Sequence, residues 1–142
     1  MLATVKQAAE NFCIHQIRES HSTSEGISKK RTLIAFIDID VLNGTKHRIY
    51  IASDEAFMQR VSFVFLEEEK SDEETLIDMT LETANLIIGS ARVIAEEINE
   101  NPYTINTPHF IKIGMFDLEY DTAHTIKIDD DEITIAIKEL HD

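Results

Sequence analysis

Asp78, Glu82 and Asn85, in the stretch "DMTLETANLIIGSARVIAEE" (78–97), stand four and three residues apart. That spacing puts side chains on one face of a helix. With Asp78 set at zero, Glu82 falls at about +40°, Asn85 at about −20°, Gly89 at about +20° and Arg92 at about −40°. Thr80, Ile87, Ala91 and Ile94 lie on the opposite side, so the helix is amphipathic. Leu81, Leu86 and Ile88 flank the polar stripe in place of charged residues. Gly89 on that stripe is unusual, because glycine costs ~1 kcal/mol against alanine inside a helix. Close approach of another backbone or molecule is one physical reason to keep it. The stripe then reads as a shallow docking surface with an acid and an amide at its centre. A simply solvated face accounts for the same pattern, since every surface helix needs one.

The rest of the chain must position this helix. Its 142 residues suit one domain, residues 1–142, and 43% hydrophobic content supports a real core. Residues 3–19 carry apolar side chains at helical spacing, and the polar stretch 20–30 reads as a loop. "TLIAFIDIDV" (32–41) alternates, with Leu33, Ala35, Ile37, Ile39 and Val41 on one face and Asp38 and Asp40 on the other. The Asp pair reads as the solvated side of a strand. Asn43-Gly44 predicts a type I′ hairpin turn into "KHRIYIA". Ser53 is placed as the N-cap of a helix to about Phe65, and Asp72 or Glu73 opens the long helix to about Asn99. Asn101-Pro102 stops that helix. The segments "TPHFIKIGMF", "DLEYD", "HTIKID" and "EITIAIKEL" alternate and read as strands, and the run Asp129 to Glu132 reads as a turn. The expected fold class is α+β: a mainly antiparallel sheet with two helices packed on it, plus the N-terminal helix.

Charge and composition narrow the function. The 27 acidic residues against 13 basic ones give a net charge of −14. A phosphate backbone or an anionic membrane surface would repel such a chain, so no nucleic acid and no membrane partner is expected. No apolar run approaches the ~18 residues of a membrane span. The N-terminus lacks a signal-peptide core, so a cytoplasmic protein is expected. Cys13 is the only cysteine and reads as a packed residue rather than a nucleophile. There is no P-loop, dinucleotide fingerprint, HExxH or GxSxG motif, the histidines show no ligand spacing, and no metal site is assigned.

"DMTLETAN" resembles the motif of the CheC/CheX/FliY family of chemotaxis phosphatases: Asp or Ser, three residues, Glu, two residues, Asn. "NLIIGSA" and the later "INTPHFI" also match the family's wording. So does the order of elements from the N-terminal helix through Thr32 to Phe65. The single-site CheX branch fits best, because "SDEAFMQRVSFVF" has no Glu followed three residues later by Asn. The resemblance implies a phosphatase acting on the phospho-aspartate of a CheY-type response regulator. Asn85 would hold the attacking water and Glu82 would pair with a lysine of the regulator. Asp78 and Gly89 would support the interface. It also implies Mg2+ held by the regulator, no cofactor of the chain's own, and a homodimer joined through sheets. Two other readings stay open: a non-catalytic CheX-like adaptor that binds a response regulator or flagellar motor component, and an acidic scaffold with no regulator partner.

Overall fold

The computed structural model describes residues 2–100 and 102–141. Strands β2 (Arg31–Val41) and β3 (Lys46–Asp54) form an antiparallel hairpin at the centre of one sheet. The alternation read from the sequence holds, because Leu33, Ala35, Ile37, Ile39 and Val41 are all buried. The turn differs from the expected type I′. Gly44 has φ +96° but Asn43 is not left-handed. The Gly44 N–H donates to the Val41 carbonyl at 2.9 Å, and the Val41 N–H donates to the Thr45 carbonyl at 2.9 Å. This is a three-residue loop with a glycine bulge. Asn43 works through its side chain, whose Oδ1 accepts from the Thr45 N–H (3.0 Å) and hydroxyl (2.7 Å).

Strand β7 (Asp131–Leu140) pairs with β3, β6 (Thr122–Ile128) with β7, and β1 (Ser22–Glu25) with β6. On the other side of β2, β4 (Tyr103–Ile105) and β5 (His109–Met115) share one edge. All seven strands are antiparallel to their neighbours, in the order β1-β6-β7-β3-β2-β4, with β5 beside β2.

Three helices cover one face: α1 (Leu2–Phe12), α2 (Glu55–Leu66) and α3 (Glu73–Glu97). Val5, Phe12, Phe57, Met58, Ile87 and Ile88 meet Ile37, Ile49, Ile51, Ile126 and Ile135 in one buried cluster. Each fully buried isoleucine there contributes roughly 1.5–3 kcal/mol. The opposite face carries a second, smaller core of Ile34, Tyr50, Ala52, Phe116, Ala123 and Ala136.

Several sequence expectations are corrected. The helix assigned to 3–19 ends its α-helical part at Phe12 and continues as a π-helical turn, Cys13–Ile17, closed by Arg18 at φ 63°. Asp54, not Ser53, caps α2: its Oδ1 accepts from the Phe57 N–H at 2.6 Å. Ser53 stays within β3. "DLEYD" is a loop whose Leu118 packs on the smaller core, so its alternation served packing rather than a ladder. Strand β1 lies in the stretch 20–30 that reads as a loop, because "STSE" has no apolar face, and β4, "YTI", has no assignment in the sequence because it is only three residues long. Of the Asn101-Pro102 stop, Asn101 lies outside the described residues, while α3 ends at Glu97 with Asn99 at φ 59°.

Cys13 is buried beside α1, and burial, followed by the charge of Glu10, pushes its thiol up to about 12. A thiol-specific reagent at pH 8 should therefore label Cys13 in urea and leave it unlabelled in the folded protein. Equal labelling rates in the two states would overturn the packed reading of this residue.

Candidate functional site

Helix α3 is anchored at its start by chemistry that the sequence supplies locally. Asp72 is the N-cap, and its Oδ1 accepts from the Thr75 N–H at 2.8 Å. That bond holds the Asp72 carboxyl below its usual range. Glu73 and Glu74 follow in the first turn, where the helix dipole favours negative charge. The connection before it is clamped by Gln59, which donates to the Ser71 carbonyl and accepts from the Ser71 N–H, both at 2.8 Å. The Ser71 hydroxyl meets that of Ser62 and donates to Glu68 at 2.8 Å. These contacts fix where α3 begins. No local pattern signals them, because Gln59 on α2 and Ser71 in the connection lie twelve residues apart.

One side of α3 is core: Leu76, Met79, Thr80, Thr83, Ala84, Ile87, Ile88, Ala91 and Ala95 are buried. The two threonines are satisfied there. Thr80 donates to the Leu76 carbonyl at 2.8 Å, and Thr83 donates to the Met58 Sδ at 3.8 Å. Ile88, expected to flank the stripe, instead belongs to this core, and its carbonyl accepts from the Tyr103 hydroxyl at 3.3 Å. The buried arc is therefore wider on that side than the sequence suggested.

The other side brings the predicted residues together. Asp78, Glu82 and Asn85 are all exposed, within roughly 10 Å along the helix axis. None of the three side chains makes a hydrogen bond or ion pair with another described residue. They are free to engage something outside the chain. Between Glu67 and Glu82 stand eight carboxylates and one lysine, so this end of the helix presents a negative field suited to a basic surface. At Gly89 a Cβ would meet nothing within 4 Å, so no segment among the described residues accounts for the glycine.

Other candidates from the sequence are absorbed by the fold. Asp38 accepts two bonds from Arg48, at 2.7 and 2.9 Å, across the β2–β3 pair. Asp40 accepts from the Asn106 amide at 3.0 Å. At the β6–β7 turn, Arg60 pairs with Asp131 (2.7 Å) and Asp129 (3.3 Å). No helix among the described residues is long and apolar enough to cross a membrane.

Comparison with known proteins shows the family and the fold. A family model described as chemotaxis phosphatase CheX matches residues 36–129, which include the three stripe residues. No curated protein matches the chain in sequence. Among solved structures, the chemotaxis protein CheX from Vibrio vulnificus superposes with a TM-score of 0.79 at 16% identity, covering 96% of this chain and 97% of that one. The CheX of a CheX–CheY–BeF3–Mg2+ complex from Borrelia burgdorferi gives 0.71 at 17% identity, covering 96% and 97%. The FliM middle domain from Vibrio alginolyticus gives 0.56 at 6% identity, covering 97% and 89%.

The open space at Gly89 leads to a direct expectation. Gly89→Ala should stabilise the protein by up to about 1 kcal/mol, because it removes the helix-interior cost of glycine without a clash. Urea unfolding measures this. A loss of stability would mean that the helix surface at Gly89 is not open.

Proposed function

This chain belongs to the chemotaxis phosphatase CheX family, and we propose that it hydrolyses the phospho-aspartate of a CheY-type response regulator through Glu82 and Asn85. The observation that carries this reading is an exposed acid and amide, three residues apart on α3 and without partners among the described residues. An acyl phosphate is already activated, so no strong nucleophile is required. A water must be held in line with the phosphorus. Asn85 would do this, because a carboxamide offers one acceptor and two donors on a short arm. The water oxygen bonds to phosphorus, the bond from phosphorus to the acyl oxygen breaks, and the regulator's aspartate leaves as carboxylate. Glu82 would pair with a lysine of the regulator, a charge-assisted contact that orients the complex. Asp78 would add to the same attraction, and the open surface at Gly89 would let the partner approach closely. The chemistry calls for Mg2+ held by the regulator's own carboxylates, and no cofactor of this chain's own.

The likeness to a FliM middle domain favours one other reading: an adaptor that binds a regulator or motor component without turnover. Phosphate release separates the two. Phosphorylated CheY-type regulators from the same organism should lose phosphate faster with this protein than without it. Asn85→Ala should keep binding to a regulator activated with a phosphate mimic while turnover falls ~100-fold, the scale for one positioned polar group. Glu82→Ala should weaken binding and turnover together. If Asn85→Ala matches the parent in turnover, Asn85 does not position the water. Binding without any phosphate release by the parent would favour the adaptor.

A homodimer is also part of the proposal. Strand β5 pairs only with β2 among the described residues, leaving its outer edge open. That edge carries Ile111, 36% exposed, and Met115, 53% exposed. Its charged Lys112 is paired with Asp117 at 2.7 Å. An open apolar edge pairs readily with another strand. The opposite edge, β1, is short and wholly polar. Sedimentation at micromolar concentration should give twice the chain mass of 16.2 kDa, and Ile111→Lys should return it to that single mass. A single-chain species from the parent protein would remove the dimer.

A further inference from the structure

Beside the stripe lies a groove of about 300 Å³, lined among others by Phe12, His15, Gln16, Phe65, Leu86 and Ser90. Its α3 wall adjoins the candidate site along the helix. Leu86 stands one helical turn beyond Glu82, and Ser90 one turn beyond Leu86. Its walls are already in place. The rings of Phe12 and Phe65 stack with centroids 5.9 Å apart and planes 13° apart. The opposite rim is the π-helical turn Cys13–Ile17, which carries His15 and Gln16, and such turns recur at functional sites. Leu86 and Phe65 remain 39% and 37% exposed, so the groove leaves apolar surface in water. No carboxylate lines it, whereas Asp78 and Glu82 lie next to it on the same helix.

We propose that the groove is the second half of the regulator's docking surface and seats an apolar side chain lying beside the regulator's lysine. This rests on the phosphatase reading above. Charge selects the occupant. A second copy docking here through the same helix would set its own Asp78 and Glu82 against these carboxylates, which is repulsive, whereas the dimer edge at β5 carries no such acidic stripe. A surface that offers a cation to Glu82 and an aliphatic or aromatic side chain one helical turn away satisfies both halves at once. A buried apolar anchor beside a charge pair is the arrangement that concentrates binding energy in few residues. Glu82 and the groove would then set affinity, and Asn85 would set turnover.

The test uses the full chain and CheY-type regulators from the same organism, activated with beryllofluoride and Mg2+ for the measurement of Kd and phosphorylated on aspartate for the measurement of turnover. Leu86→Gln makes the wall polar at nearly constant size, and Ser90→Phe fills the groove from the exposed side of α3. Both should raise Kd by roughly tenfold. Turnover at saturating regulator should stay within about twofold of the parent. Leu42→Gln, an exposed apolar residue in the β2–β3 loop, should change neither quantity. Thermal melting of each variant guards against misfolding, and Ser90→Phe keeps the test valid if Leu86→Gln is destabilised. Parent-like Kd in both groove variants, with turnover still lost in Asn85→Ala, would overturn the groove alone. So would a fall in saturated turnover without a change in Kd. A parent protein that binds no activated regulator would overturn the groove and the phosphatase reading together.

Discussion

Helix α3 must bury half of its circumference while leaving the other half wet, and the rest of the molecule is arranged around that requirement. Its buried side is made largely of small residues: Thr80, Thr83, Ala84, Ala91 and Ala95. Small side chains let neighbouring elements come close, so contact area is gained from proximity rather than from bulk. The larger volume comes from the partners, with Ile37, Ile39 and Ile49 of the sheet and Val5 and Phe12 of α1 in the same cluster. The threonines would be a liability there, since an unbonded buried hydroxyl costs roughly 1–3 kcal/mol. Each has found an acceptor, Thr80 on its own helix and Thr83 on Met58. The wet side, relieved of any packing duty, can hold Asp78, Glu82 and Asn85 without partners among the described residues.

That division explains how a catalytic role could live on a convex helix rather than in a cleft. Three exposed side chains cannot enclose a substrate or exclude water by themselves. They suit a partner that brings the reactive group and closes the site on binding. The Gln59–Ser71 clamp and the Asp72 cap have meaning in this light. A helix used as a rigid probe must begin at a fixed place, and both devices fix its start. The second face of the sheet is covered by different means. Phe116 packs edge-on to Tyr50 at 5.4 Å, and the Arg48 guanidinium lies 4.0 Å over the Phe36 ring while it pairs with Asp38. That face of the sheet, with its smaller core, is thereby closed without a fourth helix.

Much of this was legible in the sequence, and the exceptions have physical causes. Period, together with the Asn43-Gly44 turn and the cap signals, located β2, β3, α2 and α3, because in each a regular set of apolar residues faces the main core, even though β2 and β3 also bury Ile34, Tyr50 and Ala52 on the other face. The stripe was legible for the same reason: an exposed acid and amide stand out only against a regular apolar pattern. Strand β1 was illegible because an edge strand of four exposed residues has no face to alternate. The turn at Asn43-Gly44 was half legible. Gly44 takes the left-handed position, but Asn43 serves through its side-chain oxygen, and sequence does not distinguish the two uses. Ser53 and Asp54 are both good caps, and the choice between them depends on where β3 stops pairing with β2. Ile88 was misplaced because its burial depends on the position of β4, whose Tyr103 reaches its carbonyl. The groove was not read at all, since Phe12, Phe65 and Leu86 come from three separate helices.

Strand β7 follows every other strand in sequence, yet it sits between β3 and β6 near the middle of the sheet. Until it is made, the nascent sheet exists as two pieces, β2–β3 with β4 and β5 on one side and β6 on the other. The hairpin's inner edge, Lys46 to Ser53, is meanwhile unpaired, and it includes Ile49 and Ile51. Pairings across such long stretches of chain form slowly, because loop-closure entropy is lost before contacts compensate. During synthesis on the ribosome this topology therefore holds a sticky, half-finished hairpin for tens of residues, and completes its core only when β7 emerges and slots between its neighbours.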